Sequence, residues 1–378
     1  MPLKIAMIGH KRVPSRAGGI EVVVGELASR MVAMGNDVTI YNRRDDFVSE
    51  AEGGGAANGN FTWKGVHVRS TPTINKAGLA AVSSSFTATL SAIIKRPDVI
   101  HYHAEGPCVP LVLAHLLGIR TVATIHGLDW QRAKWGKFAS AYIKLGERIA
   151  ARFADEVIVL SRNTQDYFRE TYGRETRFIT NGTERMPRFN AEEIKQRWGL
   201  TRGSYLLYLS RIVPEKGLHY LIDAYKGINT YKKLVIAGGM LDSPEYAEKI
   251  KEMVKGDDRI IMTGFVTGRA LQELYSNALL YVLPSNVEGM PLSLLEAMSY
   301  GLACVTSDIP ECAEVLDGNG VTFPRGDVGA LRQVLQELVM DPLRIYDLGR
   351  SASRHVGIHY NWDSVTVRTL AVYEEALT

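Results

Sequence analysis

Residues 281–301 read YVLPSNVEGMPLSLLEAMSYG. With Leu279 and Leu280 before it, Tyr281-Val282-Leu283 completes a short continuous apolar run, the pattern of a strand in a parallel sheet covered on both faces. Pro284, Ser285 and Asn286 end the strand. A helix is expected from about Pro291, whose fixed φ and missing N–H suit a first turn, with Leu294, Leu295 and Met298 on one face and Gly301 closing it. A loop between the carboxyl end of a strand and a helix N-terminus exposes unpaired N–H groups and a partial positive charge, so it can hold an anion such as a nucleotide phosphate. Glu288 in the loop and Glu296 in the helix are poor phosphate ligands, but a carboxylate accepts hydrogen bonds from paired hydroxyls on a sugar or ribose. The ligand so described has phosphates in the middle and hydroxyls at both ends. The plain alternative makes Glu288 a solvated loop residue and Glu296 a surface helix residue.

A chain of 378 residues exceeds one ordinary core and fits two domains. Its 46% hydrophobic and 22% charged residues are those of a soluble globular protein. No uncharged apolar run is long enough to span a membrane, and MPLKIAMIG leads straight into a strand, so a cytoplasmic location is expected. Cys108, Cys304 and Cys312 lack metal-site spacing and read as reduced structural thiols. The net charge of +3 is too small a surplus to imply nucleic acid.

The first half opens with a strand over residues 3–8, the loop GHKRVPSRAGG, and a helix with Ile20, Val23, Val24, Leu27, Met31 and Met34 at helical spacing. There is no G-x-G-x-x-G; Gly18-Gly19 at the helix start instead lets a ligand approach the backbone closely, or serves a turn alone. Glu21 either faces a ligand or favours the helix N-terminus. Residues 50–60, EAEGGGAANGN, read as a mobile loop, and residues 61–70 as a hairpin. His101 and His103 share one face of a strand, without the carboxylate or cysteine cluster that would complete a metal site. In TVATIHG, His126 falls where a buried strand emerges into a loop. Residues 130–153 are basic and aromatic at the start, with Arg132, Lys134, Lys137 and Lys144 beside Trp130, Trp135 and Phe138; the stretch reads as an ordinary surface helix or as one resting on anionic headgroups.

The second half repeats the pattern. The strand Tyr205-Leu206-Leu207-Tyr208-Leu209 runs into S-R-I-V-P-E-K-G, where Arg211 and Lys216 precede a helix from Leu218, an arrangement suited to a diphosphate. A cation about 4 Å from a phosphate contributes on the order of 4 kcal/mol before desolvation, against at most about 2 for a helix terminus, so the side chains should dominate. Phe265 and Val266 follow the strand RIIMTG as candidates for a base pocket or for core. Trp362, Thr366, Leu370, Tyr373 and Leu377 mark one face of a terminal helix.

E-G-M-P-L-S-L-L-E, with Glu288 and Glu296 separated by seven residues, resembles the signature of retaining glycosyltransferases of family 4, which have the GT-B fold. S-R-x-x-P-E-K-G and P-S-R-A-G-G-I-E-V-V-V-G-E-L resemble the same family, the latter also the N-terminal segment of bacterial polysaccharide rhamnosyltransferases. The resemblance spans both halves in order and implies an α/β fold of two Rossmann-like domains facing across a cleft: residues 1–186 binding acceptor, 187–359 binding the nucleotide sugar, and a helix over 360–378 returning to the first domain. It implies that Arg211 and Lys216 hold the donor diphosphate, that Glu288 contacts the donor sugar and Glu296 the ribose, and that Gly289, Met290, Pro291 and Leu292 line the donor loop. Gly18 and Gly19 would lie under the donor phosphates, Phe265 and Val266 beside the base, and His126 at the reacting sugar with Glu21 on the acceptor side. The partners implied are a nucleoside diphosphate sugar and a glycan or polyprenyl-diphosphate-linked acceptor, with peripheral membrane contact left open. No metal is expected, since no D-x-D stands at a strand end, and no cofactor beyond the sugar nucleotide. The competing readings are a nucleotide-sugar 2-epimerase of similar fold and a non-catalytic nucleotide-sugar sensor.

Overall fold

The computed structural model describes residues 2–44, 59–76, 78–131, 135–240 and 243–378. The glycine-rich stretch 50–58, Arg132 and Lys134 lie outside these. The chain divides into two compact units, Met1–Asn181 with Trp362–Thr378, and Gly182–Asn361.

The first unit is built on strands β1 (Lys4–Ile8), β2 (Asp37–Arg43), β3 (Phe61–Trp63), β4 (Val66–Thr71), β5 (Val99–His103), β6 (Arg120–Ile125), β7 (Glu156–Val159) and β8 (Arg177–Phe178). They form one sheet in the order β3-β4-β2-β1-β5-β6-β7-β8, parallel except for the β3-β4 hairpin. Helices α1 (Gly19–Ala33), α2 (Leu79–Lys95), α3 (Leu111–Leu116), α4 (Lys137–Phe153) and α5 (Arg162–Tyr172) supply the crossovers. The apolar runs seen in the sequence are the central strands: Met7, Val99, Ile100, Val122 and Ala123 are fully buried, as a parallel sheet covered on both faces requires.

The second unit holds β9 (Tyr205–Leu209), β10 (Lys233–Ala237), β11 (Ile260–Gly264), β12 (Leu280–Leu283), β13 (Ala303–Ser307) and β14 (Val321–Phe323), all parallel in the order β11-β10-β9-β12-β13-β14. Its helices are α6 (Glu193–Trp198), α7 (Leu218–Lys226), α8 (Pro244–Val254), α9 (Gly268–Asn277), α10 (Leu292–Ser299), α11 (Pro310–Leu316), α12 (Val328–Met340) and α13 (Pro342–His359). Its core gathers Leu206, Tyr208, Leu221, Ile236, Val282, Val305 and Leu335. Strand order reverses between β9 and β12, so the loops after these two strands diverge from a switch point, where open α/β sheets bind ligands.

The last helix, α14 (Trp362–Leu377), belongs to the first unit. Arg30 pairs with Asp363 at 2.9 Å, and Arg177 pairs with Glu375. The buried residues are Trp362, Val365, Thr366, Thr369, Val372, Tyr373 and Ala376, whereas Leu377 is exposed and Leu370 half-buried. The face expected through Leu370 and Leu377 is thus rotated toward smaller and β-branched residues, which allow a close seat beside β6. Tyr373 carries the deepest contact: its hydroxyl meets His101 Nδ1 at 2.5 Å, while His101 Nε2 meets Thr124 Oγ1 at 2.7 Å. His103 stacks on His101 with ring centroids 4.1 Å apart, and His10, at the end of β1, bonds Asn42 Oδ1 at 3.0 Å.

These histidines are buried and therefore held neutral. Burial lowers His10 to about 4 and His101 to about 3, and pushes His103 well down. A folded pKa below the unfolded value near 6.5 gives stability that is fully present above that value and is lost as pH falls through the window toward 4, where only the unfolded chain takes up the proton. Each such histidine should cost about 1.4 kcal/mol per pH unit in that window. Thermal melts from pH 7.5 to 5 should show the melting temperature of the first unit dropping below pH 6.5, and His10→Gln, which keeps a polar group for Asn42, should flatten the slope. An unchanged slope in that variant would rule out His10 as a contributor.

Candidate active site

In the second unit the site is assembled where β9 and β12 end. The chain leaves β9 through Ser210 and Arg211, makes one 3-10 turn over Pro214–Lys216, and enters α7 at Gly217. Gly217 has φ +65, and a Cβ there would lie 2.0 Å from the Pro284 carbonyl oxygen in the loop after β12. Asn286 N–H donates to Glu215 O at 2.8 Å. The two loops are therefore packed backbone to backbone, and a side chain at Gly217 would separate them.

This contact brings Lys216 to Glu288. Lys216 Nζ donates to both carboxylate oxygens at 2.6 Å, and Ser285 Oγ donates to Oε1 at 2.7 Å. The side chains are 14% and 5% exposed, so the pair is largely withdrawn from water. Beneath it, burial pushes the Tyr208 hydroxyl well up, an effect increased by the Glu288 charge and reduced by Arg211. That hydroxyl also donates to Arg211 O at 3.2 Å, fixing the loop on the strand.

Glu296 lies one turn along α10, where its Oε2 accepts from the Tyr275 hydroxyl at 3.0 Å. Tyr281 Oη donates to Ser293 Oγ at 2.8 Å and anchors the first turn of the same helix to β12. The helix starts at Leu292, capped by Pro291, and Gly289 and Met290 before it are buried. On the other side of β9, Ile212 N–H donates to Gly239 O at 3.0 Å, and a Cβ on Gly238 would lie 1.9 Å from Ser210 O. A Cβ on Gly239 would lie 4.0 Å from one Phe265 ring carbon; Val266 is buried. Of the residues the sequence put on one ligand, the structure joins Lys216 to Glu288 and sets Arg211 in the same loop as Lys216. The sequence reading missed Ser285, Tyr275 and Tyr281, which hold the carboxylates and the helix and carry no spacing signal of their own.

In the first unit the loop after β1 is pressed against β5: a Cβ on Gly9 would lie 2.2 Å from His103 O. Gly18 caps α1 in extended conformation and Gly19 opens it. Glu21 is buried in that first turn; its Oε1 accepts from Lys11 N–H at 2.8 Å, and a Cβ on Gly18 would lie 2.2 Å from its Oε2. Glu21 thus braces the loop, and Gly18 is glycine partly to make room for that carboxylate. His126 is buried at the end of β6, with Nε2 3.1 Å from His103 Nδ1. Among the described residues no group of three or more His, Cys, Asp or Glu side chains is placed to hold a metal ion.

The two units match separate family descriptions: residues 17–185 match "Glycosyltransferase Family 4" and residues 203–341 match "Glycosyl transferases group 1". Over 386 residues the chain is 26% identical to a GDP-mannose:cellobiosyl-diphosphopolyprenol alpha-mannosyltransferase of Xanthomonas oryzae, covering 99% of this chain and 97% of that one. Among solved structures, sucrose-phosphate synthase from Thermosynechococcus elongatus superposes with TM-score 0.85 at 21% identity, covering 98% of each chain. Anabaena HepE in complex with UDP-glucose superposes with TM-score 0.80 at 17% identity, covering 99% of this chain and 100% of that one. With two Rossmann-like parallel-sheet units, each matched by its own glycosyltransferase family, the chain is a glycosyltransferase of the family 4 type with the GT-B fold.

Proposed function

We propose that this chain transfers a glycosyl unit from a nucleoside diphosphate sugar to a glycan or polyprenyl-diphosphate-linked acceptor, with retention at the anomeric carbon, in the synthesis of a bacterial cell-surface polysaccharide. The observation that carries this reading is the Lys216–Glu288 pair at the switch point of the second sheet. It sets a cation for a diphosphate beside a carboxylate for sugar hydroxyls, and Arg211 leaves the same strand end.

In this reading Arg211, Lys216 and the N-terminus of α10 offset the charge of the leaving diphosphate, so no metal ion or cofactor enters. Glu288 orients the donor sugar and Glu296 the ribose, while Gly289, Met290, Pro291 and Leu292 form the wall between them. Phe265 and Val266 border the base, and Gly18 and Gly19 allow close approach of the phosphates to α1. His126 acts at the reacting sugar, and Glu21 serves the acceptor side through the loop it braces.

The reading extends to the acceptor's setting at the inner face of the cytoplasmic membrane. The first unit exposes Leu90 and Ile94 on α2, Leu116 and Leu117 at the end of α3, and Phe138 on α4, the last 89% exposed, while α3 packs beside both other helices. Lys95, Arg96 and Lys137 lie close by in sequence, and Lys144 is turned over the Trp130 ring at 3.9 Å. Apolar side chains interleaved with cations suit an anionic headgroup layer.

A thermal-shift screen of UDP-, GDP- and dTDP-sugars should raise the melting temperature with one nucleotide family, by about 2.7 kcal/mol of stabilisation at 100 times the dissociation constant. Lys216→Ala should lower donor turnover by roughly two to three orders of magnitude, equivalent to about 2.7 to 4.1 kcal/mol and within the range for a desolvated charge pair. Full activity in that variant would end the assignment, and an inverted anomeric product would end the claim of retention. Sedimentation with phosphatidylglycerol vesicles should bring down the wild-type chain, and Leu116→Glu with Phe138→Glu should release it; equal recovery of both would remove the membrane arm.

A further inference from the structure

A cavity of about 1310 Å³ opens in the second unit, lined by residues 183–188, 202–203, 276, 278–279, 299–302 and one face of α13. These lining segments precede β9, β12 and β13, so the cavity lies at the amino ends of the strands, opposite the end where the donor loops gather. Five arginines line it, Arg185, Arg188, Arg202, Arg350 and Arg354, against one carboxylate, Glu184. That surplus of four positive charges exceeds the +3 of the entire chain. Among the described residues none of the five arginines forms an ion pair with a carboxylate, whereas Arg177, Arg259 and Arg269 in the same protein each do. Burial, with the Arg202 charge second to it, holds the Arg188 guanidinium below its usual range. Like charges gathered in a concavity with a single carboxylate among them raise the energy of the empty state, and a multiply charged anion relieves it.

The cavity also touches the donor site through one element. Arg188 Nε donates to Tyr300 O at 3.1 Å and its Nη2 to Gly301 O at 3.2 Å, so this guanidinium caps the carboxyl end of α10. Tyr300 stacks on Tyr275 with centroids 5.2 Å apart and planes at 13°, and Tyr275 is the hydroxyl that holds Glu296. An anion that draws on Arg188 competes with the α10 carbonyls for the same donors. The helix whose opposite end forms the donor loop then changes its cap.

We propose that this arginine-lined cavity is an accessory site for a soluble, multiply phosphorylated ligand, and that its occupancy alters donor affinity through α10. The concave shape selects a discrete polyanion over a flat lipid surface, and arginine selects phosphate oxygens, which it meets with two parallel hydrogen bonds. The coupling, though not the binding, rests on the donor-site reading above.

Inorganic tripolyphosphate serves as the probe, measured by titration calorimetry on the full chain. Wild type should bind two equivalents, and Lys216→Ala should keep the equivalent that belongs to the cavity. Arg202→Gln with Arg354→Gln should weaken that equivalent at least tenfold while leaving the melting temperature unchanged, since both side chains are exposed and neither has a carboxylate partner among the described residues. Arg202→Lys with Arg354→Lys should restore part of it. Binding of a single equivalent that disappears in Lys216→Ala, or undiminished binding in the double Gln variant, would overturn the site. Arginine-dependent capture by phosphatidylglycerol vesicles without tripolyphosphate binding would overturn the soluble ligand. Tripolyphosphate at the donor site raises the donor KM by competition in both forms, so the coupling is read as the difference between them. At one saturating concentration the KM shift of wild type should differ at least threefold from that of the double Gln variant, and two equivalents bound with equal KM shifts in both would overturn the coupling alone.

Discussion

The bond from Lys216 to Glu288 is the interaction around which the second unit is arranged. Both groups are largely out of water, and removing either would leave the other as an uncompensated buried charge, at a cost of about 3 to 5 kcal/mol. Such a pair stabilises little more than an apolar contact of similar volume, so stability does not account for placing it at a strand end. In the function proposed above its value lies in being exchangeable: a diphosphate would offer Lys216 a competing anion, and sugar hydroxyls would offer Glu288 competing donors. Two groups held against each other in this way are already oriented, and a ligand that satisfied both would pay no further cost for ordering them.

That arrangement requires two loops closer than ordinary side chains allow. Gly217 faces the Pro284 carbonyl and Gly238 faces the Ser210 carbonyl, and in both places a Cβ would fall at about 2 Å from oxygen. The glycines are set by the strand order: β9 lies between β10 and β12, so its following loop is squeezed from both sides. The first unit repeats the rule, since β1 lies between β2 and β5 and the glycine after it meets His103 O. Close approach at the switch point brings backbone N–H groups and short loops within reach of a phosphate.

How much of this was readable beforehand follows from the kind of signal each feature leaves. Buried parallel strands leave continuous apolar runs, so β9, β12 and β13 stand out directly, whereas Arg211, Lys216, Glu288 and Glu296 stand out through the resemblance of the segments that carry them, since charged residues beyond a strand end or on a helix are otherwise ordinary surface positions. Groups that act through others leave no such trace. Ser285 beside Glu288 looks like a turn residue, and Tyr275 looks like one more apolar position on a helix, although its hydroxyl holds Glu296. Glu21 was visible as an acid near a helix N-terminus, but only coordinates show its carboxylate accepting from Lys11 N–H. The α14 face was misread toward Leu370 and Leu377 because large apolar residues dominate a periodicity count, while close seating against a sheet favours Val365, Thr369 and Ala376. The arginine cavity is assembled from five separated segments, and no local pattern announces it.

The histidines of the first unit carry the argument one step further, to the protonation of His126. His103 is fully buried and held neutral, so one of its nitrogens bears a proton and the other a lone pair. Its Nδ1 faces His126 Nε2 at 3.1 Å, and its Nε2 has no hydrogen-bond partner among the described residues. A buried N–H without an acceptor is the costlier orphan, and protonating Nε2 would create one. A proton on His103 Nδ1 avoids that orphan and is donated to His126 Nε2. His103, which shows in the sequence only as one of two alternate residues on a strand, thus acts on His126 through this one contact.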